Sequence, residues 1–241
     1  MDNPQQKITV SIWRGQEDGE LESFEAPLIE NQTILDLLTN IQRQVDPSLS
    51  YRFACRVGMC GSCAMRVNGK PRWTCRTLVS NVVADGKLQL QPLANLPVVK
   101  DLVVDMVPFF EKWQSAKGRF EPKETGATKF APIRPDDKQR QKADAAIECI
   151  NCGVCYSACD TVESNPAFLG PAALNRAWSL MNDERDGSRL ERLAAVSGEG
   201  GCQSCHTNSQ CVARCPLQLN PTASIAGLKK QVAVAMLKGA I

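Results

Sequence analysis

Twelve cysteines stand in this chain of 241 residues, and eleven of them fall into three groups with fixed spacing. The groups are Cys55-x4-Cys60-x2-Cys63-x11-Cys75, Cys149-x2-Cys152-x2-Cys155-x3-Cys159 and Cys205-x5-Cys211-x3-Cys215-Pro216. The first spacing is that of plant-type [2Fe-2S] ligands. The other two have the cysteine spacing of the bacterial ferredoxin run, the third with its closing Cys-Pro but with one cysteine fewer. Thiolates are soft donors that suit iron and sulfide, and several clusters on one chain make sense as stations on an electron path.

Two other uses of cysteine fit less well. A disulfide framework belongs to short secreted chains, whereas Met1-Asp2-Asn3-Pro4 opens a polar segment with no basic start and no apolar signal core. Zinc sites repeat pairs of cysteines or mix in histidine, but these runs hold three or four cysteines and the chain has one histidine, His206. With 43% hydrophobic and 22% charged residues, the composition is that of a soluble, intracellular protein with two modest cores. A net charge of +2 is too small for a nucleic-acid footprint. No apolar stretch reaches the length that spans a bilayer, so membrane contact is expected through partners or a surface patch.

The expected fold class is α+β. Ile8, Val10 and Ile12 alternate with polar neighbours as a half-buried strand does, and Thr33 is placed to cap a helix carrying Ile34, Leu35, Leu37, Leu38 and Ile41. Ala64 to Val67 and Arg72 to Thr74 flank the hairpin signal Asn68-Gly69, and Leu88 and Leu90 mark a further strand. Together these predict a β-grasp plant-type ferredoxin domain over residues 1–113, with its cluster in the loop from Cys55 to Cys63. Gly58 and Gly61 suit a loop that bends tightly and brings backbone N–H groups to sulfide, and they equally suit ordinary turns. The polar stretch 114–142, broken by Pro122, Pro132 and Pro135, reads as a linker. Residues 143–241 read as an all-α domain of the bacterial-ferredoxin kind, with helices starting at Gly170-Pro171 and at Asn220-Pro221. Ala172, Leu174, Ala177, Trp178 and Met181 line one apolar face, and Ile225, Leu228, Val232 and Met236 line another; Trp178 is read as packing.

In a two-cluster ferredoxin the fourth cysteine of each run ligates the other cluster. Cys149, Cys152, Cys155 and Cys215 are therefore expected at a [4Fe-4S] cluster, and Cys159, Cys205 and Cys211 at a second one. The position midway between Cys205 and Cys211 is Asn208 rather than cysteine, so a [3Fe-4S] cluster is expected there.

The segments CRVGMCGSCAMRVNGKPRWTC, LPVVKDLVVDM, CINCGVCYSACD, NPAFLGPAAL and CHTNSQCVARCPLQLNP, spread from about Ile8 to Lys230, resemble the iron-sulfur subunit of succinate:quinone oxidoreductases, the succinate dehydrogenase and fumarate reductase family. The resemblance implies an electron-transfer subunit on the cytoplasmic face of the bacterial inner membrane, between a flavoprotein carrying FAD and hydrophobic anchor chains that serve quinone and can hold heme b. CINCGVCYSAC leans toward the fumarate reductases. The chain has no dinucleotide-binding glycine fingerprint and no nucleophile elbow, so flavin and dicarboxylate are expected on a separate chain. A subunit fed by a non-quinone donor and a free-standing multi-cluster ferredoxin are the alternatives.

Three features depart from the family pattern or go beyond it. Proline usually follows the cysteine at position 159 in the family and tryptophan often stands five residues beyond it, both lining the quinone site; here the positions hold Asp160 and Ser164. His206 matches a family position near quinone or heme propionate, where an imidazole can bond a quinone oxygen and follow its protonation. Cys202 lies outside the ligand register; it is a spare ligand, a redox-sensitive thiol or a small buried apolar residue, the last being favoured.

Overall fold

The computed structural model describes residues 6–124, 126 and 133–241. The Met1-Asp2-Asn3-Pro4 opening and Pro132 of the expected linker lie outside the described residues. Packing divides the chain into two compact units. One runs to Met106 and includes Ile150–Ala158; the other comprises Val107–Cys149 and Cys159–Ile241.

The first unit is built on strands β1 (Lys7–Arg14), β2 (Glu20–Pro27), β3 (Ala64–Val67), β4 (Lys70–Trp73) and β5 (Lys87–Gln91), in the sheet order β2-β1-β5-β3-β4. β1 and β5 run parallel, with Val10 opposite Leu88 and Ile12 opposite Leu90, and the remaining pairs are antiparallel. Ile8, Val10 and Ile12 alternate inward as predicted and meet Leu37, Leu38 and Ile41 of helix α1 (Ile34–Gln44). Each such buried aliphatic side chain contributes about 1.5–3 kcal/mol. Thr33 and Asp36 close a reciprocal capping box at the start of α1, which fixes the helix across the sheet. This mixed sheet grasping one helix is the β-grasp arrangement expected from the sequence.

The turn Asn68-Gly69 has positive φ at both residues, 49° and 74°, as a two-residue hairpin of the primed type demands. Strand β4 therefore begins at once at Lys70 and stops at Trp73, earlier than the Arg72 to Thr74 expected, because Thr74 already opens the short 3-10 turn that carries Cys75. A two-stranded ribbon of β6 (Val98–Lys100) and β7 (Val103–Val104) completes the unit. Its tip residue Asp101 is buried; the carboxylate accepts the amides of Gly15 and Ser50, each at 2.8 Å, and an Arg14 bond at 3.2 Å. Arg14 also pairs with Asp46. The VVKDLVVDM segment thus fastens the ribbon to the end of β1.

The second unit contains helices α2 (Val107–Ser115) and α3 (Lys138–Ile147). The short helix α4 (Val154–Ser157) belongs to the first unit, and α5 (Asp160–Ser164), α6 (Pro171–Met181), α7 (Arg189–Ser197), α8 (Gln210–Arg214) and α9 (Pro221–Leu237) belong to the second. Helix α6 starts at Pro171 and α9 at Pro221 behind its cap Asn220, as expected. Buried Asn175 of α6 donates to the Ala146 carbonyl of α3 and accepts from Ser224 of α9 at 2.8 Å, so three helices share one satisfied polar contact. Trp178 donates its indole N–H to the Lys142 carbonyl at 2.9 Å, in keeping with a packing role. Ile225, Leu228 and Val232 are buried as expected, but Met236 is 51% exposed. Beyond Val232 a step of three residues reaches Ala235 and a step of four reaches Met236, and the buried seam takes the smaller one.

Arg192 of α7 is fully buried and paired with Asp186 through two bonds of 2.5 and 3.0 Å. It also donates to the carbonyls of Lys117 and Arg119, each at 2.9 Å. Helix α3 begins inside the stretch read as linker, because Asp137 accepts the amides of Gln139 and Arg140 at 2.8 Å and starts it.

Candidate iron-sulfur sites

The first thiol set lies wholly in the β-grasp unit. Cys55, Cys60 and Cys63 sit on an irregular loop before β3, and Cys75 sits on the 3-10 turn after β4. Thr74 ties the two together: its hydroxyl donates to the Cys63 carbonyl at 2.9 Å, and the Cys63 and Cys75 sulfurs stand 3.4 Å apart. The loop turns its amides inward, so the N–H groups of Met59 and Cys60 point at the Cys55 sulfur at 3.2 and 3.3 Å. Such amides stabilise a thiolate and the sulfide of a bound cluster. At Cys60, hydrogen bonds led by a Cys55 backbone N–H and then the Ser62 hydroxyl bring the thiol down to about 6. At Cys75, burial first and Cys63 second push it up to about 11. The donors fit a two-iron cluster, with one edge near solvent and one against the core.

Gly61 has φ +70°, and a Cβ there would stand 2.4 Å from the Cys152 Cβ. No side chain fits, so the loop backbone lies directly against a cysteine of the second run. Gly58, at φ +77°, would bring a Cβ to 3.0 Å from Arg76. Both glycines are favoured by conformation, and Gly61 is required by contact as well.

Of the second set, Cys152 and Cys155 belong to the first unit, and Cys149 and Cys215 to the second. Cys152 and Cys155 flank Gly153, whose left-handed φ of 78° starts α4. The amide of Ala94 donates to the Ser157 hydroxyl at 2.8 Å, and the Asn95 side chain donates to the Tyr156 carbonyl, which anchors α4 to the segment after β5.

The third set, Cys159, Cys205 and Cys211, opens into one cleft of the helical unit, lined also by Asp160, Thr207 and Asn208. The enclosed space between them is about 20 Å³, room for little more than a water molecule. Burial pushes the Cys159 and Cys211 thiols up, which favours their protonated form. Lys229 donates to the Cys205 carbonyl at 2.8 Å and ties that loop to α9. Among the described residues no three His, Cys, Asp or Glu side chains converge on a single metal ion.

Asn208, at the position where a full run has cysteine, donates its amide N–H to Asp160 at 3.2 Å. Asp160 lines the cleft, whereas Ser164 and His206 do not; all three are exposed, and the Ser164 hydroxyl turns back to the Asp160 carbonyl. Cys202 is fully buried on a 3-10 turn, Cys202–Ser204, and is not among the cleft residues. The preceding glycines explain its burial: a Cβ on Gly200 would stand 1.9 Å from the Ala167 carbonyl oxygen, so the chain here lies flat on its neighbour. The Asn208–Asp160 contact was not predicted from sequence, although the two departures from the ligand and family patterns that form it were each visible.

A β-grasp unit and a helical unit, each carrying sets of free thiols at iron-sulfur spacing, define a two-module iron-sulfur electron carrier. Residues 8–111 match the 2Fe-2S iron-sulfur cluster binding domain and residues 145–219 the 4Fe-4S dicluster domain. The fumarate reductase iron-sulfur subunit of Haemophilus influenzae is 35% identical over 232 residues, 90% of each chain. The mitochondrial succinate dehydrogenase [ubiquinone] iron-sulfur subunit 1 of Oryza sativa subsp. japonica is 35% identical over 229 residues, 92% of this chain and 81% of the relative. A chain of the Mycobacterium smegmatis Sdh1 complex in the apo form superposes with a TM-score of 0.82 at 27% identity, covering 95% of this chain and 97% of the other. The chain belongs to the family of iron-sulfur subunits of succinate dehydrogenase and fumarate reductase. Its function is electron transfer within an oxidoreductase complex of that kind. Among the described residues no helix is long and apolar enough to cross a membrane.

Proposed function

We propose that the chain carries three clusters in line and passes single electrons between the FAD of a flavoprotein subunit and quinone at hydrophobic anchor subunits on the cytoplasmic face of the bacterial inner membrane. Cys55, Cys60, Cys63 and Cys75 hold [2Fe-2S]; Cys149, Cys152, Cys155 and Cys215 hold [4Fe-4S]; Cys159, Cys205 and Cys211 hold [3Fe-4S]. The domain division follows the same order: 1–113 for the first cluster, 114–142 as connector and 143–241 for the other two. The clusters supply the one-electron steps that a two-electron dicarboxylate reaction needs in order to reach quinone. The polypeptide supplies thiolates, amides aimed at sulfur and exclusion of water. A heme b, where present, sits in the anchor.

One observation carries this reading: a cleft lined by three cysteines and by Asn208, which stands at the sequence position of the absent fourth cysteine. It supports a three-iron terminal site over the pair of four-iron sites of an ordinary two-cluster ferredoxin. The quinone side is assigned to this exposed end, with His206, Asp160 and Ser164 as its candidates.

The test is affinity purification through this chain from membranes, followed by succinate oxidation assayed with quinone and with an artificial acceptor that bypasses it. A flavoprotein and anchor chains should copurify. His206→Ala should lower the quinone rate and leave the bypass rate intact. Recovery of the chain alone without flavin would contradict the complex, and unchanged quinone kinetics would remove the quinone assignment.

A further inference from the structure

We propose that the Asp160 carboxylate is a fourth, oxygen ligand that lets the site of Cys159, Cys205 and Cys211 take up one further ferrous ion when its cluster is reduced. The inference rests on the three-iron reading above and goes beyond it. Asp160 follows Cys159 directly, opens α5 and faces the same cleft as the three thiols. Asn208, in the place of the missing cysteine, donates to Asp160 Oδ2 at 3.2 Å, so the carboxylate stands beside the residue that replaces the fourth thiol and lines the same cleft. A corner iron takes three of its bonds from cluster sulfides, so the protein has to offer one donor only. Cys202 is not among the residues that line the cleft.

The chemistry balances without an outside reagent. [3Fe-4S]0 and Fe2+ together give [4Fe-4S]2+; one bond forms from the incoming iron to a carboxylate oxygen, the iron sheds its water, and no bond to a cysteine breaks. The electron that first takes [3Fe-4S]+ to [3Fe-4S]0 comes from the dehydrogenase reaction of the complex. A carboxylate is a harder and weaker donor to this iron than a thiolate, so uptake is reversible. Cluster type is one of the levers on reduction potential. Iron supply would thereby set the potential at the terminal station.

The experiment uses the intact complex under anaerobic conditions, reduced with succinate or dithionite and titrated with ferrous ammonium sulfate carrying a radioactive iron label. After excess iron is removed and the sample is oxidised briefly, we expect one labelled iron per chain and loss of the [3Fe-4S] electron paramagnetic resonance signal, restored by ferricyanide. Asp160→Asn should abolish uptake and keep the three-iron signal at every iron concentration. Asn208→Ala should weaken iron affinity by about 10–100-fold, the usual effect of losing a partner that orients a ligand. A wild-type three-iron signal that excess iron leaves untouched overturns the inference alone. Equal conversion in Asp160→Asn and wild type also overturns it, by showing that another group or water completes the corner. A complex with no three-iron signal before iron addition or after ferricyanide overturns the three-iron reading, and this inference with it.

Discussion

Replacing Gly61 by alanine tests the contact between the first thiol loop and the second cysteine run. Two costs arise. An alanine at φ +70° enters the left-handed region, at about 1–2 kcal/mol. Its Cβ would stand 2.4 Å from the Cys152 Cβ, 3.1 Å from the Cys152 Cα and 3.3 Å from Ile150 Cδ1, against an optimum of about 3.5–4.0 Å between carbons. Relief requires the loop or Cys152 to move by about 1 Å, and overpacking of this kind costs about 1–3 kcal/mol. Gly69→Ala is the control: its φ is +74°, and a Cβ there meets nothing within 4 Å, so it bears the conformational cost only. The purified complex is heated while cluster absorbance is followed, and reduced samples are compared by electron paramagnetic resonance. Gly61→Ala should melt about 2–12 °C below Gly69→Ala, and it should alter the signals of both the [2Fe-2S] and the [4Fe-4S] clusters. Equal melting of the two variants with unaltered signals would refute the contact.

Three further outcomes follow from the packing and the ligand division. Asp186→Ala leaves the Arg192 guanidinium buried without its carboxylate, and should destabilise the helical unit by about 3–5 kcal/mol, read in denaturant; an apolar pair at both positions should recover most of that. Asp101→Ala strands the amides of Gly15 and Ser50 and should cost about 3 kcal/mol in the same assay. Cys215→Ser should damage the [4Fe-4S] signal before the [3Fe-4S] signal, although Cys215 stands beside Cys211 in sequence; loss of the three-iron signal alone would show that the ligand partition is wrong.

Much of this was legible in the chain because the signals are local. The inward alternation of Ile8, Val10 and Ile12, the Thr33 cap, the Asn68-Gly69 turn and the prolines opening α6 and α9 each fix structure within a few residues, and each appears where expected. Cysteine spacing is equally local. What was not legible depends on partners distant in sequence. Nothing near Gly61 announces Cys152, Asp101 does not announce Gly15 and Ser50, and nothing in the sequence around Arg192 announces that it is fully buried. Met236 fits the helical stripe by period, yet the seam takes Ala235. The start of α3 did have a local signal, Asp137 ahead of a run of good helix formers, which the surrounding prolines and charges obscured.

The central claim, three clusters of different size on one chain, is tested most directly by counting iron and acid-labile sulfide in the air-oxidised complex while recording electron paramagnetic resonance spectra before and after reduction. The account predicts about nine irons per chain, a [3Fe-4S] signal in the oxidised sample, and [2Fe-2S] and [4Fe-4S] signals on reduction. About ten irons with no three-iron signal at any potential would contradict it, as would a count explained by two clusters.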